Sequence, residues 1–261
     1  MNNRIHFSIV APCYNEGGGL EEFIARIVPL MESLKKEFEI LLVNDGSTDN
    51  TFDISKKLAQ SHNQIRIINF SRNFGHQAAV TAGLDNSKGD AVIIIDSDLQ
   101  DPPEVILEMI KKWKEGFQVV YGRRKSRKGE SYFKLFTAKI FYIILQKLTN
   151  TDIPLDTGDF RLIDRQVVKI LKNMREKHRF IRGMVSWTGF KQTPVYYERE
   201  PRFAGETGYP FKKMLTFALD GITSFSIIPL QILTLIGIVI TTITILLSLI
   251  IFFVKIFIPE Y

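Results

Sequence analysis

The sequence contains a single cysteine, Cys13, among its 261 residues. One thiol cannot form a disulfide within the chain, which excludes a disulfide-stabilised extracellular scaffold and suits a reducing compartment. The amino terminus also lacks the basic, then apolar, then small-residue segments of a secretory signal peptide. Because 45% of the residues are hydrophobic, the chain can form a core, and intrinsic disorder is excluded as well.

Charged residues are nearly absent from the carboxyl-terminal part. Of the 62 charged residues, only Lys255 and Glu260 lie after Asp220. The uncharged stretch 227–254 has 28 residues, more than the roughly 20 that cross a bilayer core. A buried core helix rarely stays apolar on every face over this length, so we predict a transmembrane helix over 227–254. Residues 255–261 would begin a loop to a second helix, in a chain that we expect to be shortened.

Two lysines, Lys212 and Lys213, shortly precede this stretch. Basic residues close to a membrane span remain on its cytoplasmic side. We therefore expect the preceding domain to lie at the cytoplasmic face of the plasma membrane.

The rest of the chain divides into two halves of opposite charge. Residues 1–110 carry 9 basic and 16 acidic side chains, a net charge of −7, whereas residues 111–220 carry 24 and 11, a net charge of +13. The overall pI of 9.3 allows nucleic-acid binding as one interpretation. The basic residues lie beside amphipathic segments and the apolar stretch, however, which favours lipid phosphates over nucleic acid.

Short apolar runs alternate with helical patterns over the first 125 residues. This alternation predicts an α/β fold with an open, mostly parallel sheet and helices on both faces. In such sheets, ligands bind beyond the carboxyl ends of the strands. The predicted strands are 7–11, 40–43, 65–70, 91–95 and 118–121, and the predicted helices are 20–37, 49–61, 77–86 and 103–114.

Carboxylates cluster after two of these strands. Asp45 follows the second predicted strand, and Asp96 and Asp98 follow the fourth. Residues 47–49 are also typical of turns and N-caps, which is the simpler interpretation of that segment. Three carboxylates at adjacent strand ends repel one another unless a cation lies between them. Mg²⁺ and Mn²⁺ bind through one or two carboxylates plus substrate phosphates, so the pattern predicts a site for one of these ions.

Three segments at these strand ends, 11–16, 43–49 and 96–103, together carry a specific resemblance. The sequence resembles glycosyltransferase family 2, whose members have the Rossmann-like GT-A fold and use nucleotide sugars. Segments 157–162 and 179–183, followed by a terminal membrane segment, are similar to the polyprenyl-phosphate branch of that family. This branch includes the bactoprenol glucosyltransferases of bacteria and the dolichyl-phosphate mannose synthases, and the resemblance implies a bacterial protein.

The resemblance implies roles for several residues. Asp98 and Gln100 would ligate the metal, with Asp96 nearby or acting through water. Asp159 occupies the position of the base in related transferases, with Asp156 as the alternative. For His76, a structural and a catalytic role both remain open. The donor nucleotide would be held by Pro12, Tyr14, Asn15, Glu16, Asp45, Gln77 and Asp96.

The basic second half would bind the acceptor. By the resemblance, its phosphate would contact Arg124, Arg127, Ser131 and Arg202, although a solvated basic loop near anionic lipids is the alternative interpretation. Thr207-Gly208-Tyr209 departs from the Ser-Lys-Tyr usual in the family, which puts one phosphate contact in doubt. Apolar side chains recur at helical spacing over 132–148 and 209–226, so we expect helices that lie at the membrane interface, with ordinary packing against the sheet as the alternative interpretation.

We therefore expect a catalytic domain over 1–208, a juxtamembrane helix over 209–226 and a transmembrane anchor over 227–254. The enzyme would transfer a sugar, with inversion, from a nucleotide sugar to a polyprenyl phosphate, most simply from UDP-glucose to undecaprenyl phosphate. GDP-mannose, UDP-N-acetylhexosamine and UDP-aminoarabinose are alternative donors, and a homo-oligomer could form through the membrane segments. A polysaccharide synthase lacks support because the Gln-x-x-Arg-Trp string is absent. The alternative of another class is a non-catalytic, membrane-tethered binding or scaffold protein.

Overall fold

The computed structural model describes residues 4–125, 157–176, 179–200 and 228–257. The strands are β1 (Phe7–Cys13), β2 (Phe38–Asn44), β3 (Ile65–Asn69), β4 (Ala91–Ile94), β5 (Val119–Arg124), β6 (Thr157–Asp164) and β7 (Gln192–Tyr197). The helices are α1 (Leu20–Glu32), α2 (Thr51–Ser61), α3 (His76–Asn86), α4 (Val105–Lys114), α5 (Arg165–Asn173), α6 (Ile181–Trp187) and α7 (Ile228–Phe257).

The strands form one seven-stranded sheet in the order β3-β2-β1-β4-β6-β5-β7. Strand β1 pairs in parallel with β2 and β4, β2 pairs in parallel with β3, and β5 pairs in parallel with β7. Strand β6 is antiparallel to both of its neighbours, β4 and β5. The predicted α/β class and mostly parallel sheet are therefore confirmed. The antiparallel strand places the start of β6, at Thr157, at the same edge as the carboxyl ends of the parallel strands.

Side chains of the central strands alternate between two cores. Ile9 and Ala11 pack on the face covered by α1, α2 and α4, whereas Val10 packs on the face covered by α3, α5 and α6. All three are fully buried, and burying a side chain such as Ile9 or Val10 contributes about 1.5–3 kcal/mol. On the second face, a Cβ at Gly83 would lie 2.2 Å from a methyl carbon of Val10, so only glycine lets α3 approach the sheet this closely.

Some element boundaries differ from the predicted ones. The helix predicted over 20–37 ends at Glu32, because Lys35 adopts a left-handed conformation with φ of 52° that turns the chain toward β2. Strand β5 continues to Arg124, three residues beyond its predicted end, because Arg123 and Arg124 pair with Tyr196 and Tyr197 of β7. The predicted segments 132–148 and 209–226 lie outside the described residues.

Helix α7 differs from every other helix in composition. Its segment Leu233–Phe257 has a mean hydropathy of 2.8 and no buried side chains, so it is long and apolar enough to cross a membrane. The hydroxyl groups of Thr234, Thr242 and Thr244 each donate a 2.9 Å hydrogen bond to the carbonyl four residues earlier. This leaves no unsatisfied hydroxyl donor on these threonines and so suits an apolar environment. The helix begins at Ile228 and ends three residues beyond the predicted boundary at 254.

Candidate active site

The loops that follow β1 and β2 are held together by hydrogen bonds at the carboxyl edge of the sheet. The Asn15 backbone N–H donates to the Ser47 hydroxyl (3.0 Å), and the Asn15 side-chain oxygen accepts from the Thr48 N–H (2.9 Å). Asn15 has a φ of 55°, a conformation that asparagine adopts more readily than most residues. Tyr14, beside it, is 44% exposed. The loop therefore uses Asn15 to fix its shape and presents the Tyr14 ring to solvent.

Pro12 and Glu16 lie in the same loop system. The Pro12 carbonyl accepts a hydrogen bond from the Ser97 hydroxyl (3.1 Å), which ties the end of β1 to the loop after β4. The Glu16 N–H donates to the Thr51 hydroxyl at the start of α2 (2.9 Å). Both predicted donor-site residues thus lie at the carboxyl edge.

Asp45 is buried, and its carboxylate is bound by the loop after β3. One oxygen accepts from the Phe74 N–H (2.7 Å) and the other from the Gly75 N–H (2.9 Å). The close approach of the loop after β2 to the loop after β3 requires glycine at position 46, where φ is 63° and a Cβ would lie 2.2 Å from the Arg72 carbonyl carbon. Asp45 therefore holds two loops together, and its contact with the nucleotide remains a prediction.

A second group of side chains surrounds Asp159 on β6. Arg182 donates from Nε to one carboxylate oxygen (2.7 Å) and from Nη2 to the other (3.2 Å). Gln77 donates to Asp159 at 3.1 Å and accepts from the Ile181 N–H at 3.0 Å, so both ends of its amide have partners within the fold. His76 lies between two carboxylates, with Nε2 at 2.8 Å from Asp96 and Nδ1 at 3.5 Å from Asp159.

The charges in this cluster stabilise one another. Burial lowers the pKa of His76, but the negative charges of Asp96 and Asp159 outweigh burial and raise the pKa to about 9. Burial raises the pKa of Asp159, but Arg182 and His76 reverse the effect and hold it well below its usual range. In the same way, His76 outweighs desolvation and lowers the pKa of Asp96. At neutral pH the cluster therefore contains a cationic imidazole between two anionic carboxylates.

The segment after β4 carries the predicted metal ligands. Asp98 is buried, and one of its oxygens accepts from the Gln100 N–H (3.1 Å). Leu99, between them, has a φ of 59°, a strained conformation that a leucine keeps only where the surroundings enforce it. The turn brings Asp98 and Gln100 to the same edge as Asp96.

This donor set fits a hard divalent cation. Carboxylate and amide oxygens are the ligands that Mg²⁺ and Mn²⁺ prefer. Within the four described ranges, no group of three or more His, Cys, Asp and Glu side chains is arranged to hold a metal ion. An ion at Asp98 would therefore need further oxygen ligands from a substrate or from water.

The basic side of the site begins at the end of β5. Arg124 is partly buried and pairs with Tyr197 of the neighbouring strand β7. Burial lowers the pKa of its guanidinium, but the neighbouring Tyr197 and Asp101 outweigh burial and raise it. The Tyr197 hydroxyl donates to the buried carboxylate of Asp101. Burial raises the pKa of Asp101 to about 6, and the charge of Asp96 adds to this effect. The remaining predicted site residues, Asp156, Arg127, Ser131 and Arg202, lie outside the described residues.

The family model for glycosyl transferase family 2 matches residues 8–171, which is well over half of the chain. The chain belongs to glycosyltransferase family 2. It is 50% identical over 98% of its length to the uncharacterized glycosyltransferase YkcC of Bacillus subtilis, covering 80% of that protein. It is 42% identical over 90% of its length to the prophage bactoprenol glucosyl transferase homolog of Escherichia coli, covering 77% of that protein.

Solved structures of glycosyltransferases share the fold. Glucosyl-3-phosphoglycerate synthase from Mycobacterium tuberculosis, in complex with Mn²⁺, UDP-glucose and phosphoglyceric acid, aligns with a TM-score of 0.56 at 19% identity. The alignment covers 82% of this chain and 76% of that one. The mannosyltransferase PcManGT from Pyrobaculum calidifontis, in complex with GDP-mannose and Mn²⁺, aligns with a TM-score of 0.54 at 17% identity over 75% of this chain and 56% of that one. The glycosyltransferase therefore has the GT-A fold that the sequence resemblance implied.

Two features of this glycosyltransferase site were not predicted from the sequence. Arg182 lies in the segment 179–183 that supported the resemblance, but the sequence alone gave it no partner, because its contact with Asp159 joins residues 23 positions apart. The pairing of Tyr197 with Asp101 joins residues 96 positions apart. The signal that could have indicated Arg182 is its place as the one charged residue in the largely apolar run 180–185. Asp101 and Tyr197 lie among other polar residues, so no such signal marks that pair.

Proposed function

We propose that this glycosyltransferase transfers a glucosyl residue from UDP-glucose to the phosphate of undecaprenyl phosphate, with inversion of configuration. The observation that carries the proposal is the similarity, over about nine tenths of the chain, to proteins named bactoprenol glucosyl transferase, such as that of Shigella phage SfV at 40% identity. The arrangement of the described residues supports it, because anionic and basic side chains meet at one edge of the sheet.

The acidic side of the site is suited to the donor. Tyr14 offers an exposed aromatic face for stacking on the nucleobase, and Asp98 and Gln100, with Asp96, offer oxygen ligands for Mg²⁺ or Mn²⁺ near the diphosphate. When bound, such an ion supplies positive charge that stabilises the leaving nucleoside diphosphate.

The chemistry requires little help from a base. A phosphate monoester has a second pKa near 6, so the acceptor is mostly deprotonated at cytosolic pH. One of its oxygens forms a bond to the anomeric carbon while the bond from that carbon to the diphosphate oxygen breaks, and UDP leaves with the electron pair. The enzyme contributes positioning and charge stabilisation.

Asp159 is better suited to orienting a substrate than to removing a proton. Its carboxylate is ionised, and both oxygens accept hydrogen bonds from Arg182. A carboxylate whose pKa lies well below its usual range is a weak base. We therefore assign Asp159 to holding the sugar or the acceptor in place, with Asp156 retained as the alternative catalytic residue.

The basic side is suited to the acceptor phosphate. Arg124 lies at the carboxyl end of β5, and an arginine guanidinium can donate hydrogen bonds to two phosphate oxygens at once. Arg127, Ser131 and Arg202 would complete the site. Helix α7 would anchor the enzyme in the plasma membrane with its site at the cytoplasmic face, where a lipid phosphate is within reach. Assembly into homo-oligomers through this helix is part of the proposal.

A donor panel tests this function. The purified chain is incubated with undecaprenyl phosphate, Mg²⁺ or Mn²⁺, and labelled UDP-glucose, UDP-N-acetylglucosamine, UDP-aminoarabinose or GDP-mannose in separate reactions. We expect an organic-extractable labelled product with UDP-glucose. A product with a different donor alone would show that the transferred sugar is not glucose. No product from any donor, with UDP still bound by the protein, would instead favour the non-catalytic binding protein.

A further inference from the structure

Asp101 is a buried carboxylate for which the proposed chemistry has no use. The residue is 2% exposed, and it directly follows the predicted metal ligand Gln100. One of its oxygens accepts from the Tyr197 hydroxyl and lies 3.9 Å from Nε of Arg199. A buried carboxylate with such partners either stabilises the fold or holds something in place.

The Tyr197 ring is fixed by packing. It meets the Phe160 ring edge-on at a centroid distance of 5.7 Å and an interplanar angle of 84°. A Cβ at Gly122 would lie 2.8 Å from a Tyr197 ring carbon, so glycine makes room for the ring on β5. The hydroxyl therefore has little freedom: it donates to Asp101, and its residue pairs with Arg124 across β5 and β7.

Arg124 lies beside Tyr197 and Asp101 but is not fully used by the fold. Its Nε is buried and has no hydrogen-bond partner among the described residues. Its Nη2 lies 3.5 Å from the point where a side chain at Gly158 would begin, so the absence of a side chain there leaves the guanidinium uncovered on that side. A buried donor without a partner is costly, and an anionic ligand would satisfy it.

The same region is tied to the predicted metal segment a second time. The Glu200 N–H, three residues after Tyr197, donates to the Gln100 carbonyl at 2.9 Å. Two adjacent residues of the segment after β4, Gln100 and Asp101, are thus bonded to the end of β7, which in turn contacts Arg124. The backbone bond to Gln100 does not involve the Tyr197 hydroxyl, so the predicted metal ligand keeps this support when the hydroxyl is removed.

We propose that Asp101 and Tyr197 are positioning residues that hold the Arg124 guanidinium in the orientation that binds the acceptor phosphate. Asp101 orients the hydroxyl of Tyr197, and that hydroxyl fixes the guanidinium. The proposal rests on the proposed function, because the phosphate in question is that of the polyprenyl acceptor.

The variant Tyr197→Phe tests it most cleanly, because phenylalanine keeps the ring packing and removes only the hydroxyl. We expect the KM for undecaprenyl phosphate to rise about fivefold, the effect of one lost hydrogen bond, while the KM for the donor stays the same. The matched control is Tyr196→Phe, which removes a hydroxyl from a ring that is 51% exposed on the same strand and should leave both KM values unchanged. An unchanged acceptor KM in Tyr197→Phe would overturn the proposal.

A double-mutant cycle separates positioning from a general effect on the fold. If Tyr197 acts through Arg124, adding Tyr197→Phe to Arg124→Gln should produce no further rise in the acceptor KM. If Tyr197 merely stabilises the sheet, the two changes should multiply, and that result would contradict the proposal.

Binding of farnesyl phosphate distinguishes this proposal from the function on which it rests. We expect the wild type to bind this short lipid phosphate, to bind farnesol far more weakly, and to lose about fivefold affinity in Tyr197→Phe. Inorganic phosphate as a separate probe shows whether the phosphate alone is recognised. If the wild type forms no lipid-linked sugar yet the variant weakens farnesyl phosphate binding, the proposed transfer fails and the positioning role stands. If the wild type binds farnesyl phosphate no better than farnesol, the positioning role fails.

Discussion

The two edges of the sheet each contain a buried carboxylate, but the two carboxylates have different surroundings. At the amino edge, Glu39 accepts hydrogen bonds from the Ser8 hydroxyl (2.7 Å), the Lys88 N–H (2.7 Å) and Arg66 (2.7 Å). At the carboxyl edge, Asp159 shares His76 with a second carboxylate, Asp96, and Asp98 and Asp101 lie on the segment that follows.

The difference indicates which edge is structural and which is functional. The Glu39 network contains one carboxylate, and it joins the starts of β1, β2 and β3 to the loop before β4. The carboxyl edge contains several carboxylates close together. Their mutual repulsion costs free energy, so such a group persists only where a cationic side chain or a ligand compensates. A single buried carboxylate at a strand end therefore says little, whereas a group of them at the carboxyl edge indicates a site.

The largest effect should come from Asp98→Asn. In the proposed function Asp98 ligates the divalent ion near the diphosphate. Loss of this carboxylate should weaken the binding of both, so we expect transfer to fall by at least about a hundredfold. Initial rates of lipid-linked product formation measure it. The matched control is Asp53→Asn on α2, whose carboxylate is exposed and pairs with Lys56. Transfer by Asp98→Asn at the rate of Asp53→Asn would remove Asp98 from the site.

A somewhat smaller loss should follow from Arg182→Gln. Without the paired hydrogen bonds from Arg182, Asp159 keeps its contacts with Gln77 and His76 but is oriented less firmly. A misplaced orienting group can lower kcat by about a hundredfold or less. The kcat of the purified variant is measured at saturating donor and acceptor. Arg175→Gln is the control, because Arg175 is exposed and pairs with Asp85 away from the site. A wild-type kcat in Arg182→Gln would show that the orientation of Asp159 is irrelevant.

Glu39→Gln should lower the stability of the protein and leave its activity unchanged. The substitution keeps the shape but removes the charge that binds Arg66, so we expect the free energy of unfolding of the catalytic domain to fall by about 2 kcal/mol, with kcat and KM unchanged. Chemical denaturation followed by tryptophan fluorescence, together with steady-state kinetics, measures both quantities. If Glu39→Gln retained full stability but lost activity, the division between the two edges would be wrong.

The smallest effect should appear in the pH dependence of stability, through His76 at the carboxyl edge. Because the pKa of His76 is raised from 6.5 to about 9, its interactions with Asp96 and Asp159 contribute fully below about pH 6.5 and are lost as the pH rises through 9. We expect the free energy of unfolding, measured without divalent ions, to decline over this window in the wild type. The decline should be shallower in His76→Asn, and an identical decline in both proteins would contradict the assignment.

Much of this architecture could be predicted from the sequence because it is local. Apolar runs such as Val92–Ile95 indicate strands, and the carboxylates that follow them lie at the carboxyl edge as a consequence of parallel pairing. Strand β6 was harder to predict, because it follows β5 after a long intervening segment and inserts antiparallel between β4 and β5.

The partners of the site residues could not be predicted, since they depend on contacts that are distant in sequence. Asp45 was expected to contact the nucleotide, and the structure shows it bound to the backbone of Phe74 and Gly75. The sequence leaves a structural and a catalytic role open for His76, because its position between Asp96 and Asp159 depends on how α3, β4 and β6 lie together in the fold.

The most direct test of this division between the edges is nucleotide binding to two variants compared side by side. Calorimetric titration of UDP and of GDP, each with Mn²⁺, is performed on wild type, Asp98→Asn and Glu39→Gln at a temperature where all three are folded. We expect Glu39→Gln to bind one of the nucleotides with wild-type affinity and Asp98→Asn to lose this binding. Equal binding by both variants, or loss in Glu39→Gln alone, would contradict this division.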